Sequence, residues 1–168
     1  AAYFARRLVQ RDALWGAVAR PQAFELDDLL LYCALGTVVG GRLFNVLFYG
    51  LDYYLAHPGQ IFAVWNGGMA FHGGFLGVVL ACIVFARQWA YPLLAIGDLV
   101  ATVAPIGLFF GRIANFIKPE LWGRPADVPW AMVFPGAGPL PRHPSQLYEA
   151  FAEGLVLLVL LGIAARVV

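Results

Sequence analysis

Between Gly111 and Pro125, GRIANFIKPELWGRP, the chain places Arg112, Asn115, Lys118, Glu120 and Arg124 at the end of an apolar run. Ionisable side chains are costly at such a boundary and usually mark a working site. Arginine suits a phosphate, because its planar fork donates two parallel hydrogen bonds and keeps its charge where a lysine loses its proton more readily. Arg112 and Asn115 are three residues apart and share a helix face. Pro119 turns the chain, so Glu120 is expected to fold back toward Arg112. Gly123 permits close backbone approach, and Arg124-Pro125 opens an extended stretch. The pattern predicts an anion site with its own acid. The alternative is an Arg–Glu pair that only holds a helix end.

Three further segments add groups. In RHPSQLYEAFAE, which begins at Arg142, Pro144 fits a first helical turn, and Gln146, Glu149 and Glu153 follow down one face. Glu153 is a turn deeper than Glu149 and should seek an arginine, either Arg112 or Arg42. WNGGMAFHGG brackets His72 with two glycine pairs. Its imidazole can exchange a proton near neutrality or serve as a hydrogen-bonding brace. Arg42, in VVGGRLFNVLFYG, lies a turn or two inside an apolar run. It either meets a lipid phosphate or snorkels to the headgroup level. His57, beside Pro58 and Gly59, reads as solvent-facing. No HExxH, Walker or GxGxxG pattern occurs and no acidic group has EF-hand spacing, so no metal or nucleotide is indicated. The single serine, Ser145, stands outside any GxSxG turn, and Cys33 and Cys82 read as packing residues. Nucleophilic catalysis would need a nucleophile from the substrate.

The elements that must position these groups are membrane helices. The chain is 61% hydrophobic and 12% charged, with a mean hydropathy of +0.75. Its apolar runs approach the roughly 20 residues that cross a bilayer. They predict an all-α, polytopic transmembrane bundle forming one integral-membrane domain over residues 1–168. The spans are expected at 28–50, 69–87, 92–110 and 147–165, with loops at 51–68 and 111–146. The opening AAYFARRL reads as the exit of an earlier helix. Arg6, Arg7, Arg11, Arg20, Arg87 and Arg166 fall on one side, which the positive-inside rule makes cytoplasmic. The two loops with the histidines and the charged cluster then face outward. Gly36 with Gly40, Gly73 with Gly77 and Gly107 with Gly111 suggest close helix contacts. Trp15, Trp65, Trp122 and Trp130 suit interfacial anchors, as do Tyr53, Tyr54 and Tyr91. A net charge of +1 without a basic stripe excludes nucleic acid as a partner.

GGRLFNVLFY, WNGGMAFHGG, GRIANFIKPELWGRP and RHPSQLYE together resemble, in order, motifs of the prolipoprotein diacylglyceryl transferase family. The central signature of that family reads roughly GRxxNFxNxExxG, and the chain departs from it at Lys118, where asparagine is usual. The resemblance implies a bacterial inner-membrane enzyme with its site toward the periplasm. It would move diacylglyceryl from phosphatidylglycerol to the lipobox cysteine of a preprolipoprotein signal peptide, forming a thioether and releasing glycerol phosphate. No cofactor is implied. The resemblance implies catalytic roles for His72, Arg112, Asn115 and Glu120, with His72 matching the family's proposed base and a nearby carboxylate as the alternative. Substrate binding is expected of Arg42, Arg112, Gly123, Arg124, Arg142 and Glu153. The family also uses a tyrosine on a preceding helix, and an arginine and a glutamate on a following one, which have no counterpart in these residues. The competing reading is a non-catalytic carrier that holds anionic phospholipid headgroups at the same arginine.

Overall fold

The computed structural model describes residues 1–167, with side chains through Ala165. The side chain of Arg166, which enters the basic count above, lies outside the described residues. The fold is all-α. Two short helices, α1 (Ala2–Val9) and α2 (Asp12–Trp15), precede α3 (Glu25–Tyr49). Then come α4 (Leu51–Ala56), two 3-10 turns (Pro58–Phe62 and Val64–Asn66), α5 (Phe71–Gln88) and α6 (Leu93–Ile117). The last helix begins as α7 (Ser145–Glu149), widens into a π-helical stretch (Ala150–Val156) and ends as α8 (Leu157–Val167). Four helical stretches are long and apolar enough to cross a membrane: α3, α5, α6 and Ser145–Ala165. The protein is a multi-pass membrane protein, and the many exposed Leu, Val and Phe side chains on these helices suit a lipid solvent.

The chain divides into two compact units, one chiefly residues 4–99 and the other chiefly 100–167. In the first, α3 and α5 pack through glycines. A β-carbon on Gly36 would collide with the Gly77 carbonyl, and one on Gly40 with the Gly73 carbonyl. The two backbones therefore meet directly, as small residues at four-residue spacing allow in membranes. Gly107 and Gly111 behave differently: each faces open space, so the close contact expected there does not occur.

At the far end of α3 the buried Glu25 accepts hydrogen bonds from the Gln22 amide (2.7 Å) and the Tyr91 hydroxyl (2.6 Å). Burial, then the neighbouring carboxylate, pushes the Tyr91 phenol up to about 12. Trp15 is not an interfacial anchor. It is buried, and its indole N–H donates to the Leu8 carbonyl at 3.1 Å.

In the second unit α6 runs seven residues beyond the expected end of its span and carries Arg112 and Asn115 on helix. Pro105 lies inside α6, fully buried, and removes one backbone donor. Gly154, within the π stretch, lies against Phe109, whose Cβ is 2.7 Å from where a β-carbon on Gly154 would stand. That contact joins α6 to the last helix. The expected loop at 51–68 is mostly ordered into α4 and the two 3-10 turns.

Candidate functional site

Arg112, on the last turns of α6, reaches across to the last helix. Its Nη1 lies 2.9 Å from Glu149 Oε2 and its Nη2 3.3 Å from Glu153 Oε2. The π-helical widening begins immediately after Glu149 and contains Glu153, so the register between the two carboxylates differs from that of an α-helix. π-bulges of this kind are frequent at functional sites. Both carboxylates converge on one guanidinium, whose Nε has no partner among the described residues. The three side chains are between about a quarter and a half exposed, so an anion can approach.

Glu120 does not fold back toward Arg112. It pairs with Lys118 at 2.8 Å, two positions away in the turn that Pro119 makes. Lys118, with a hydrogen bond from Asn115, holds the Glu120 carboxyl below the usual carboxylate range, and Glu120 raises the Lys118 ammonium in return. The Glu120 amide donates to the Asn115 carbonyl at 2.9 Å, which closes the end of α6. Leu121 follows with a positive φ of 55°, a strained conformation for a side chain of its kind, and its carbonyl accepts from Ser145 Oγ at 3.0 Å.

The segment after Leu121 is paired with the lead-in to the last helix. The Gly123 amide donates to the His143 carbonyl at 3.0 Å, and the His143 amide to the Arg124 carbonyl at 3.2 Å. A β-carbon on Gly123 would stand 2.8 Å from the His143 oxygen. Gly123 is thus a point of close backbone approach, as expected. Arg142 exchanges backbone hydrogen bonds with Met132, and its guanidinium donates to the carbonyls of Ala137 (3.1 and 3.3 Å) and Gly123 (3.2 Å). Arg142, of which a substrate contact was expected, braces the loop between α6 and α7. Arg124 is exposed, and its guanidinium has no partner among the described residues. Gln146, fully buried, donates to the Glu120 carbonyl at 2.5 Å. Its position on the face of Glu149 and Glu153 was legible in the sequence, whereas its bond to Glu120 depends on a loop fold that no spacing encodes. Trp130 donates to the Tyr148 hydroxyl at 2.6 Å, which lies 3.1 Å from His143 Nδ1.

His72 and Arg42 belong to the other unit. His72 is the second residue of α5, exposed, with its ring stacked on Phe44 at 6.0 Å and edge-on to Phe71 at 5.9 Å. Its ring nitrogens make no hydrogen bond among the described residues. Arg42 is buried and turned inward. Its Nε donates to Ile61 (2.8 Å), Nη1 to Gly67 (2.5 Å) and Gly68 (3.1 Å), and Nη2 to Gln60 and Ala63 (3.2 Å), every acceptor a backbone carbonyl. All five N–H donors are occupied. Arg42, expected either to meet a lipid phosphate or to snorkel, thus directs its donors to the main chain of residues 60–68. His57 is exposed, as expected, and stacks on Tyr53 at 4.8 Å.

A multi-pass α-helical membrane protein with a carboxylate-braced arginine at a helix end is the class that these features define. The family model described as prolipoprotein diacylglyceryl transferase matches residues 1–167, and the chain belongs to that family. It is 61% identical over 163 residues to the phosphatidylglycerol–prolipoprotein diacylglyceryl transferase of Methylocella silvestris, covering 97% of this chain and 60% of that protein. It is 58% identical to the protein of the same name from Beijerinckia indica, covering 97% and 60%, and 56% identical to that from Nitrobacter hamburgensis, covering 97% and 57%. The chain therefore spans less than two thirds of the length of these relatives.

Proposed function

We propose that the chain forms part of an enzyme that transfers the diacylglyceryl group of phosphatidylglycerol to the lipobox cysteine of a preprolipoprotein signal peptide. The reaction breaks the bond between the glyceryl carbon and a phosphate oxygen and forms a carbon–sulfur bond. Glycerol phosphate leaves, and the thiol proton passes to a base. The observation that carries this reading is membership of the family over residues 1–167, with the Arg112 group standing at its signature.

Arg112 stabilises the departing phosphate, since charge develops on that oxygen as the bond breaks. Glu149 and Glu153 hold the guanidinium in place through its two Nη groups and leave Nε for the anion. Arg124, exposed and unpaired among the described residues, adds positive charge for the headgroup. Asn115 and Glu120 shape the end of α6, and Gly123 lets the following segment lie close to His143. His72 takes the thiol proton, because a thiol of pKa near 8.5 is a weak nucleophile until ionised. The protein sits in the bacterial inner membrane with this site toward the periplasm, and needs no cofactor for the transfer.

The competing carrier reading is separated by Arg112→Lys. One ammonium replaces a fork that bridges two carboxylates. A transferase loses about 100-fold in turnover, the scale of one lost electrostatic stabiliser, while phosphatidylglycerol binding falls much less. Equal losses of binding and turnover, or a wild type that binds the lipid without turnover, would favour the carrier.

A further inference from the structure

We propose that Arg42 is the positioning residue for His72, acting through the backbone of residues 60–70; the catalytic half of this proposal rests on the transferase reading above. A buried guanidinium normally pairs with a carboxylate, because an uncompensated charge is costly inside a protein. Arg42 instead gathers five backbone carbonyls, from Gln60, Ile61, Ala63, Gly67 and Gly68. The Gln60 and Ala63 carbonyls each also accept a backbone amide, from Ala63 (3.1 Å) and Asn66 (3.2 Å), so the one planar cation adds a second bond at both and draws them together with the carbonyls of Ile61, Gly67 and Gly68.

The loop is shaped to fit it. Gly67 and Gly68 have φ of 81° and 75°, the left-handed region that glycine enters freely. A β-carbon on Gly68 would stand 2.9 Å from Arg42 Nη1, 3.0 Å from Asn45 Nδ2 and 3.2 Å from the Tyr54 hydroxyl. The Tyr54 ring lies under the guanidinium, 5.1 Å from its carbon, and its hydroxyl bonds Asn45 at 3.2 Å. One residue before Arg42, the Gly41 carbonyl accepts from the Ala70 amide at 3.0 Å. Ala70 is the residue that caps α5, and His72 is two residues on. α3 thus fixes the chain from Gln60 to Ala70 at six points and delivers it into α5 with His72 in its first turn. Lysine cannot substitute, since its three N–H groups radiate from one nitrogen and cannot span five carbonyls.

The test uses the full-length protein in membranes, in a Cys33→Ala, Cys82→Ala background, with a nitroxide on Trp65→Cys, an exposed loop position. Arg42→Lys is expected to raise the mobility of the label and to lower kcat by about 100-fold, the cost of displacing a catalytic group by about 1 Å, while KM for phosphatidylglycerol stays within about twofold. Gly68→Ala, which crowds the clamp while keeping the buried charge, should shift label and kcat in the same direction by less. Unchanged label mobility in both variants would overturn the clamp. A raised KM with kcat preserved would overturn the positioning role and make Arg42 a headgroup ligand. A wild type without turnover would refute the transferase reading, and with it the assignment to His72, while the label still judges the clamp alone.

Discussion

Arg42, Arg112 and Arg142 show how much of a residue's task its type reveals. Each was expected to bind substrate, and Arg42 and Arg112 to meet a phosphate, because an arginine near an apolar run needs an anionic partner. Arg42 and Arg142 donate to backbone carbonyls of neighbouring loop segments, a use that no spacing announces because the acceptors are main-chain atoms of any residue. Arg112 was legible for the opposite reason: its partners Glu149 and Glu153 are side chains, and their place on one face is written in the sequence. Gly123 was also legible, because only glycine tolerates the 2.8 Å approach of the His143 carbonyl. Gly123→Ala should cost about 1–3 kcal/mol through overpacking, read as a fall in thermal unfolding temperature in detergent. Glu120 was misdirected, since the turn at Pro119 brings Lys118 nearer than Arg112. Lys118 lowers the Glu120 pKa, so the benefit of the pair is present above the usual carboxylate range and is lost as pH falls through the depressed value. Between about pH 6 and 8 Glu120 therefore stays ionised, well above the usual carboxylate pKa of about 4.3. Lys118→Met should raise its carboxyl titration, followed by carbon NMR, without adding a step to the activity profile in that range.

Helix existence follows from apolar length: the four helical stretches long and apolar enough to cross a membrane start at Glu25, Phe71, Leu93 and Ser145. Helix ends were less legible. α6 continues through Ile117 with Arg112 paired to the last helix and the Asn115 carbonyl bonded by the Glu120 amide. The π stretch at Ala150–Val156 left no sequence signal apart from Gly154, whose contact with Phe109 admits no side chain. Identical glycine spacing on two helices had different outcomes, since spacing shows that a close contact is allowed and not that a partner is there. This gives a paired prediction. Gly36→Ala should destabilise the protein by about 1–3 kcal/mol, because the Gly77 carbonyl occupies the space, whereas Gly107→Ala should be neutral or slightly stabilising. Thermal unfolding of the two variants side by side reads the difference, and equal shifts would contradict the packing described for α3 and α5.

For the whole molecule, composition alone established a membrane protein, and the order of four motifs indicated the family to which it belongs. The orientation proposed from the arginine count is testable without activity. Ala137→Cys, in the loop between α6 and α7, should react with a membrane-impermeant maleimide in intact spheroplasts. Arg11→Cys, between α1 and α2, should react only after permeabilisation; the reverse pattern would invert the topology. Transfer itself is read from the mass of a lipobox peptide incubated with phosphatidylglycerol and membranes containing the full-length protein. A diacylglyceryl increment on the peptide cysteine, absent with Arg112→Lys at the same exposure, is the predicted result. An unmodified peptide, with the wild-type protein folded and the lipid bound, would contradict it.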